Sequence, residues 1–156
     1  MLSEKTNVGD DLWNKTKKIN AEVFSLTYGG IVVQLLKENE YDAEKVNGLL
    51  DGMGFDIGVR LVDEVLANLS DEFVSRLIRF EDYIDTIAYV GFRMFLGTRP
   101  DVAKEVLEKE KERYVITLKT NVLADHVVLP EKLRQRLWFS NILCGVIRGA
   151  LEMVKY

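Results

Sequence analysis

Cysteine and histidine are nearly absent from this sequence, and each scarcity excludes a class of chemistry. The single cysteine, Cys144, has no partner for an intrachain disulfide. A small domain without such staples suits a reducing compartment such as the cytosol, so a cytoplasmic location is expected. The single histidine, His126, stands between Asp125 and Val127, with no second histidine and no second thiol. A zinc site takes three or four N, S or O ligands, and histidine–cysteine spacing of that kind is missing. Ser–His–Asp or Cys–His catalysis would have to use His126, and no nucleophile elbow accompanies it. His126 therefore reads as a partly exposed residue at a strand end. There is no G-x-x-x-x-G-K-[ST] phosphate loop. The first residues, Met1 to Asn7, lack the apolar run of a signal peptide. No stretch approaches the roughly 18 apolar residues of a membrane span, so any membrane contact is peripheral. Excess positive charge is missing too: 21 Lys and Arg against 25 Asp and Glu leave −4. Non-specific nucleic-acid binding runs on basic excess, so no nucleic-acid partner is expected.

What is present is an ordinary globular mixture, 47% apolar and 29% charged over 156 residues. That length fits one domain, and that hydrophobicity argues against disorder. Residues 1–19 are polar, locally basic at Lys15, Lys17 and Lys18, and read as a frayed N-terminal arm. Residues 20–156 read as a single domain.

The first predicted helix runs from about Ala21 to Asn39, with Asn20 as N-cap and Glu22 in the first turn. Phe24, Tyr28, Ile31 and Leu35 share one face, while Val23, Leu26, Gly30, Val33 and Leu36 fill other directions. A helix apolar all round is buried on more than one side, by its own core or by a partner. Gly29 and Gly30 each cost about 1 kcal/mol against Ala in a helix, which suggests close approach of another backbone. A second helix covers about Ala43 to Leu69, capped by Asp42, with Gly54 and Gly58 forming a small-residue groove. That groove serves either intrachain packing or a partner helix. A third covers about Phe80 to Leu96, closed by Gly97 and Pro100, with Ser70 as a cap in the loop before it.

The charge-rich stretch 101–112 reads as a solvated short helix with i,i+4 ion pairs. The period then changes to alternation at Tyr114, Ile116 and Leu118, a strand. After a turn at Thr120–Asn121, Asp125 to Leu129 reads as a second strand stopped by Pro130, paired antiparallel with the first. A last helix runs from about Arg136 to Tyr156, with Ile142, Leu143, Val146, Ala150, Met153 and Val154 inward and Gly145 and Gly149 repeating the small-residue spacing. Arg148, between them, is expected to reach a carboxylate or backbone carbonyls. Cys144, near the inward stripe, is expected to behave as a small buried hydrophobe. The fold class is α+β: four main helices, with a small antiparallel sheet inserted before the C-terminal helix.

Four segments resemble one family. They are Leu26-Thr-Tyr-Gly-Gly-Ile-Val-Val-Gln-Leu35, Leu50-Asp-Gly-Met-Gly-Phe-Asp-Ile-Gly-Val-Arg-Leu61, Gly91-Phe-Arg-Met-Phe-Leu-Gly97 and the fifteen residues from Ser140 to Val154. In order and content they are similar to the motifs of subunit 3 of the transport protein particle (TRAPP), the tether of early secretory traffic. The resemblance covers about residues 20–154. It implies a non-enzymatic subunit on the cytoplasmic face of the endoplasmic reticulum and cis-Golgi, active in ER-to-Golgi vesicle transport. It implies a homodimer in isolation and heterodimers with sibling subunits, formed through the first two helices. Tyr28, Gly29, Gly30, Ile31, Leu35, Gly54 and Gly58 become the interface candidates. Nucleotide exchange on a Rab GTPase is implied only for the assembled complex, whose composite surface produces it.

The family also carries a fatty acyl thioester on a cysteine before its third helix, the chain threading an apolar tunnel. Here the family's cysteine position falls on Leu77, and residues 68–80 contain no cysteine. Arg76 matches the family's preceding arginine, and Gly91, with Ala88 a turn earlier, matches its small tunnel-wall residue. A leucine has no nucleophile, so no covalent cofactor is expected. The tunnel is expected to persist, filled by Leu77 with rearranged neighbours or by a non-covalent fatty acyl chain. A lipid-binding sensor module is thus the alternative to a tethering subunit. The family continues past its last helix with further strand and tail residues, and this sequence ends at Tyr156. That weakens the expectation of direct GTPase contact and leaves a sheet edge unpaired.

Overall fold

A computed structural model of the chain describes residues 2–107 and 112–155. The elements in chain order are α1 (Leu2–Lys15), α2 (Ala21–Glu38), α3 (Ala43–Ala67), α4 (Asp71–Ser75), α5 (Phe80–Thr86), a π-helical turn (Ile87–Gly91) and α6 (Phe92–Leu96). They continue with β1 (Asp101–Val106), β2 (Glu112–Thr117), α7 (Glu131–Arg134) and α8 (Asn141–Met153). The α+β reading with a two-stranded antiparallel sheet ahead of the last helix is what the structure shows. The described residues fall into two compact units. The first takes Met1–Lys17 and Val65–Asn121, the second Lys18–Glu64 and Val122–Tyr156.

Local signals account for most of the boundaries. The Asn20 side chain accepts from Val23 N–H at 3.0 Å, Asp42 Oδ1 accepts from Glu44 and Lys45, and Ser70 Oγ accepts from Phe73 N–H. Each satisfies an N–H that the first turn of a helix leaves without a partner. Gly97 ends α6 at φ +68°, a left-handed cap that suits glycine.

In the second unit, Tyr28, Val32 and Leu36 of α2 pack with Ala43, Val46 and Leu50 of α3, with Leu123, Leu137 and Phe139 of the connecting segments and with Ile142 of α8. Tyr28 donates its hydroxyl to Phe139 O and meets the Phe139 ring edge-on at 5.0 Å. Its burial pushes the phenol pKa upward. Asn47 holds the segment before α8: its amide donates to Arg136 O and its oxygen accepts from Trp138 N–H. The α3–α8 contact is backbone on backbone. A Cβ on Gly54 would lie 2.0 Å from Ile142 O, and one on Gly145 2.0 Å from Asp51 O. Gly58 and Gly149 repeat this against Val146 O and Phe55 O at 2.1 and 2.2 Å. Arg148 then reaches Asp51 at 2.5 Å, with its guanidinium 4.5 Å from the Phe55 ring centroid, the carboxylate expected from its place in the sequence.

The first unit corrects the frayed-arm expectation, because residues 2–15 form α1. Lys5, Gly9 and Leu12 of α1 are buried. Their spacing of three and four puts them on one helix face, which the polar composition hid. Lys5, only 2% exposed, donates to Asp82 O at 3.1 Å and to Asp85 at 3.3 Å. A buried ammonium is tolerated only with such partners. A Cβ on Gly9 would lie 2.2 Å from Tyr89 O, so α1 crosses the π turn at its backbone. Asp10 binds Arg93 at 2.8 Å and also Arg99.

Two further expectations are corrected around the sheet. Asp101 to Val106 is β1, not the start of a helix, while residues 108–111 of that stretch lie outside the described residues. The expected i,i+4 pairs are replaced by cross-strand pairs, Lys104 with Glu112 at 2.7 Å and Arg113 with Glu105. Most of β1 is exposed, so it has no buried face to impose alternating hydrophobicity. Asp125 to Leu129 is not a strand: it follows turns such as Val127 N–H to Ala124 O at 3.0 Å, and β2 pairs with β1 instead. His126 is exposed there. The last helix begins at Asn141 rather than Arg136, because Leu137 and Phe139 enter the core from an irregular segment. Tyr156, its expected end, lies outside the described residues. Cys144 is exposed, not buried.

Gly54→Ala and Gly145→Ala should each lower stability by about 1–3 kcal/mol in urea denaturation, since the added methyl overlaps a main-chain carbonyl. Gly30→Ala, with nothing within 4 Å of its added Cβ, should instead stabilise by up to about 1 kcal/mol. Acid should loosen the first unit. The bond to Arg99, followed by that to Arg93, lowers the Asp10 pKa below its ordinary 3.8 against the cost of burial. Burial opposes ionisation of Asp82, but bonds from Arg79 and the Lys5 charge outweigh it and lower its pKa as well. Groups with depressed folded-state pKa values stabilise above the unfolded value and lose that contribution as pH falls through the folded one. Melting temperature should therefore drop below about pH 4. Asp10→Asn should flatten the drop, measured as the difference between wild type and variant.

Candidate functional site

The residues singled out from the sequence separate into a small compartment in the first unit and an apolar face in the second. In the compartment, α4 is a five-residue helix capped by Ser70, and its end delivers Arg76 and then Leu77. Arg76 Nε donates to Glu72 O at 3.2 Å, which fixes the guanidinium against its own turn. Its two terminal nitrogens both donate to the Glu4 carboxylate, Nη1 to Oε2 at 3.2 Å and Nη2 to Oε1. This forked pair is half-exposed, with the guanidinium carbon 5.9 Å from the Phe73 ring centroid. Leu77 packs against the cluster of Leu12, Phe73, Val90 and Met94, and its carbonyl accepts from the Tyr83 hydroxyl at 2.9 Å. Glu4, Lys5, Phe73, Arg76 and Leu77 line a cavity of about 10 Å³. That is room for about one water molecule.

Ala88 and Gly91 do not line that cavity. They lie on the π turn, where Phe92 N–H bonds to Ile87 O, five residues back. Such turns are rare and concentrate at functional sites. Ala88 is fully buried, and Val90 between them belongs to the cluster that Leu77 joins. A Cβ on Gly91 would meet only Thr86 O, at 4.0 Å. The missing side chain there faces space rather than a packed wall of side chains.

The second unit splits the interface candidates. Tyr28 is 5% exposed and committed to Phe139, while Gly54 and Gly58 are filled by α8. These three are consumed inside the chain, because the intrachain alternative for the glycine groove prevails. Gly29 lies 3.6 Å, measured from an added Cβ, from Val127, and Leu35 packs on the core. Gly30 and Ile31 remain on the surface. Around them Val23, Leu26 and Val33 of α2 are 61, 55 and 49% exposed, and Leu49, Met53 and Ile57 of α3 are 39, 36 and 40% exposed. On each helix the exposed apolar residues recur at helical spacing, three or four positions or a multiple of a turn apart. The sequence signal for it was the second apolar direction of the first helix. Glu4 and Lys5 were missed entirely, although Lys5, Val8 and Leu12 share one helical face.

Among the described residues, no group of three or more His, Cys, Asp or Glu could hold a metal ion, and no helix is long and apolar enough to cross a membrane.

The sequence pattern of the transport protein particle (TRAPP) component family matches residues 24–156. The chain is 46% identical over 151 residues to transport protein particle subunit bet3 of Schizosaccharomyces pombe, covering 97% of this chain and 79% of the relative. It is 44% identical over 158 residues to trafficking protein particle complex subunit 3 of Dictyostelium discoideum, covering 99% and 80%. A crystal structure of a trafficking protein particle complex subunit 3 from Naegleria fowleri, covalently bound to palmitic acid, is similar with a TM-score of 0.76. It is 44% identical, over 88% of this chain and 81% of that one. With the family pattern spanning most of its length and relatives this similar, the chain belongs to the TRAPP component family, with subunit 3 proteins as its relatives.

Proposed function

We propose that this protein is a core subunit of a TRAPP tethering complex in ER-to-Golgi vesicle transport that acts by assembly rather than by catalysis. The exposed apolar face of α2 and α3 carries this reading. Leaving Val23, Leu26, Val33, Leu49, Met53 and Ile57 in water forgoes about 25 cal/mol per Å², which a partner face would recover. The partner is a second copy in isolation and a sibling subunit in the complex. Rab nucleotide exchange belongs to the composite surface of the assembly, at the cytoplasmic face of the endoplasmic reticulum and cis-Golgi, with peripheral membrane contact. Family membership and the subunit names of the relatives support this.

A second reading, binding of a fatty acyl chain, is favoured by the palmitic acid of the Naegleria fowleri structure. The chain would be held non-covalently, because Leu77 offers no nucleophile, with Ala88 and Gly91 as tunnel-wall residues.

Sedimentation at micromolar concentration should show a dimer burying more than about 1,000 Å². Met53→Asp and Ile57→Asp should each convert it to a monomer with the melting transition retained, and a dimer indifferent to both would place the interface elsewhere. Intact mass should be unchanged by hydroxylamine. An adduct that hydroxylamine removes, and that Cys144→Ser abolishes, would show acylation at the one thiol of the chain.

A further inference from the structure

We propose that α3 packs antiparallel against α3 of a second copy of this chain, along a seam of Lys45, Leu49, Gly52 and Asp56. The inference rests on the assembly reading and names which segment of the partner covers α3 and in what register.

Glycine inside a helix costs stability, so each one in α3 calls for a packing partner. Gly54 and Gly58 have theirs in the carbonyls of α8. Gly48 and Gly52 have none within the chain: both are exposed, and a Cβ on either would meet nothing within 4 Å. Lys45, Leu49, Gly52 and Asp56 follow one another at intervals of four, three and four. That spacing sets them in one row along the helix, on the side away from Gly54 and Gly58. All four are exposed, Leu49 to 39%. The nearby carboxylate of Asp51 is already bonded to Arg148. Among the described residues, the side chains of Lys45 and Asp56 form no ion pair.

Charge decides the orientation. A two-fold contact of α3 with itself is isologous, and it runs either parallel or antiparallel. The parallel arrangement would set Lys45 on Lys45 and Asp56 on Asp56, two repulsions. The antiparallel arrangement, turned about a midpoint between Leu50 and Asp51, sets Lys45 against Asp56 of the second copy. The same midpoint sets Leu49 against Gly52 of the second copy, and symmetry makes each pair twice. Leu49 then fills the hole that Gly52 leaves in the facing helix. Gly48, beside the seam, removes a further side chain that would hold the two backbones apart. Met53, one turn beyond Leu49 and 36% exposed, flanks the seam and loses its water with it.

Sedimentation equilibrium at fixed ionic strength tests the register. Lys45→Asp and Asp56→Lys should each raise the dimer dissociation constant about tenfold or more, because each turns two attractions into two repulsions. The two substitutions together should return it to within about threefold of wild type. Gly52→Gln should weaken the dimer at least as much. On the monomeric Met53→Asp background, Gly52→Gln should raise the melting temperature, since glycine is the poorer helix former and nothing in the chain lies in its way. That opposite sign separates lost pairing from lost folding. A dimer that Met53→Asp breaks but that Lys45→Asp, Asp56→Lys and Gly52→Gln leave unchanged would overturn the seam while assembly through α2 and α3 stands. Single charge substitutions that weaken the dimer with no recovery in the double variant would overturn the antiparallel register. A wild-type chain that stays monomeric at micromolar concentration would overturn the pairing with a second copy itself.

Discussion

Close approach of main chain to main chain is the constraint on which the second unit depends. Gly54 and Gly58 on α3 face carbonyls of α8, and Gly145 and Gly149 on α8 face carbonyls of α3, each too near for a Cβ. The contact is reciprocal, so neither helix can rotate without driving a side chain into a carbonyl. Fixing α8 also places Arg148 on Asp51 and over Phe55, and sets Ile142 into the core with Tyr28 and Phe139. Once this face of α3 is spent on α8, the residues left outward are Leu49, Met53 and Ile57. The apolar surface left exposed on α3 is thus the remainder of an intrachain contact.

The first unit applies the same device once, at Gly9 over Tyr89 O, and adds charge. Helix α1 is polar in composition yet well held. Lys5 goes inward to Asp82 and Asp85, Asp10 sits between Arg93 and Arg99, and Glu4 closes on Arg76. These bonds differ in exposure, and so in how readily they exchange. The Lys5 cluster is buried, and breaking it would strand a charge. The Glu4–Arg76 pair is half in water, where an ion pair contributes little to stability.

The π turn lies where α1 crosses. Its widened backbone leaves Ala88 buried, Val90 in the apolar cluster and Gly91 beside open space. A Cβ at Gly91 would meet only Thr86 O, at 4.0 Å.

The caps at Asn20, Asp42 and Ser70 and the stop at Gly97 were readable from the sequence, because a cap is a local bond between neighbours in the chain. So were the long helices, whose period exceeds the reach of chance, and the absence of a nucleophile at Leu77. Partners distant in sequence were not readable. The charges of Lys104 and Glu105 fit helix pairs as well as strand pairs, and only the presence of β2 alongside decided for the sheet. Lys5 looks like a solvated arm residue until Asp82 and Asp85 stand next to it. Gly54 and Gly58 announce that something approaches closely but not what approaches, and Tyr28 announces burial but not its hydroxyl's acceptor. The sequence alone determined α2, α3 and the caps at Asn20, Asp42, Ser70 and Gly97, which depend on residues a few positions apart, but not α1 or the start of α8. Tertiary structure decided which faces were consumed within the chain and which were left for a partner or a ligand, because that depends on contacts between residues far apart in the chain.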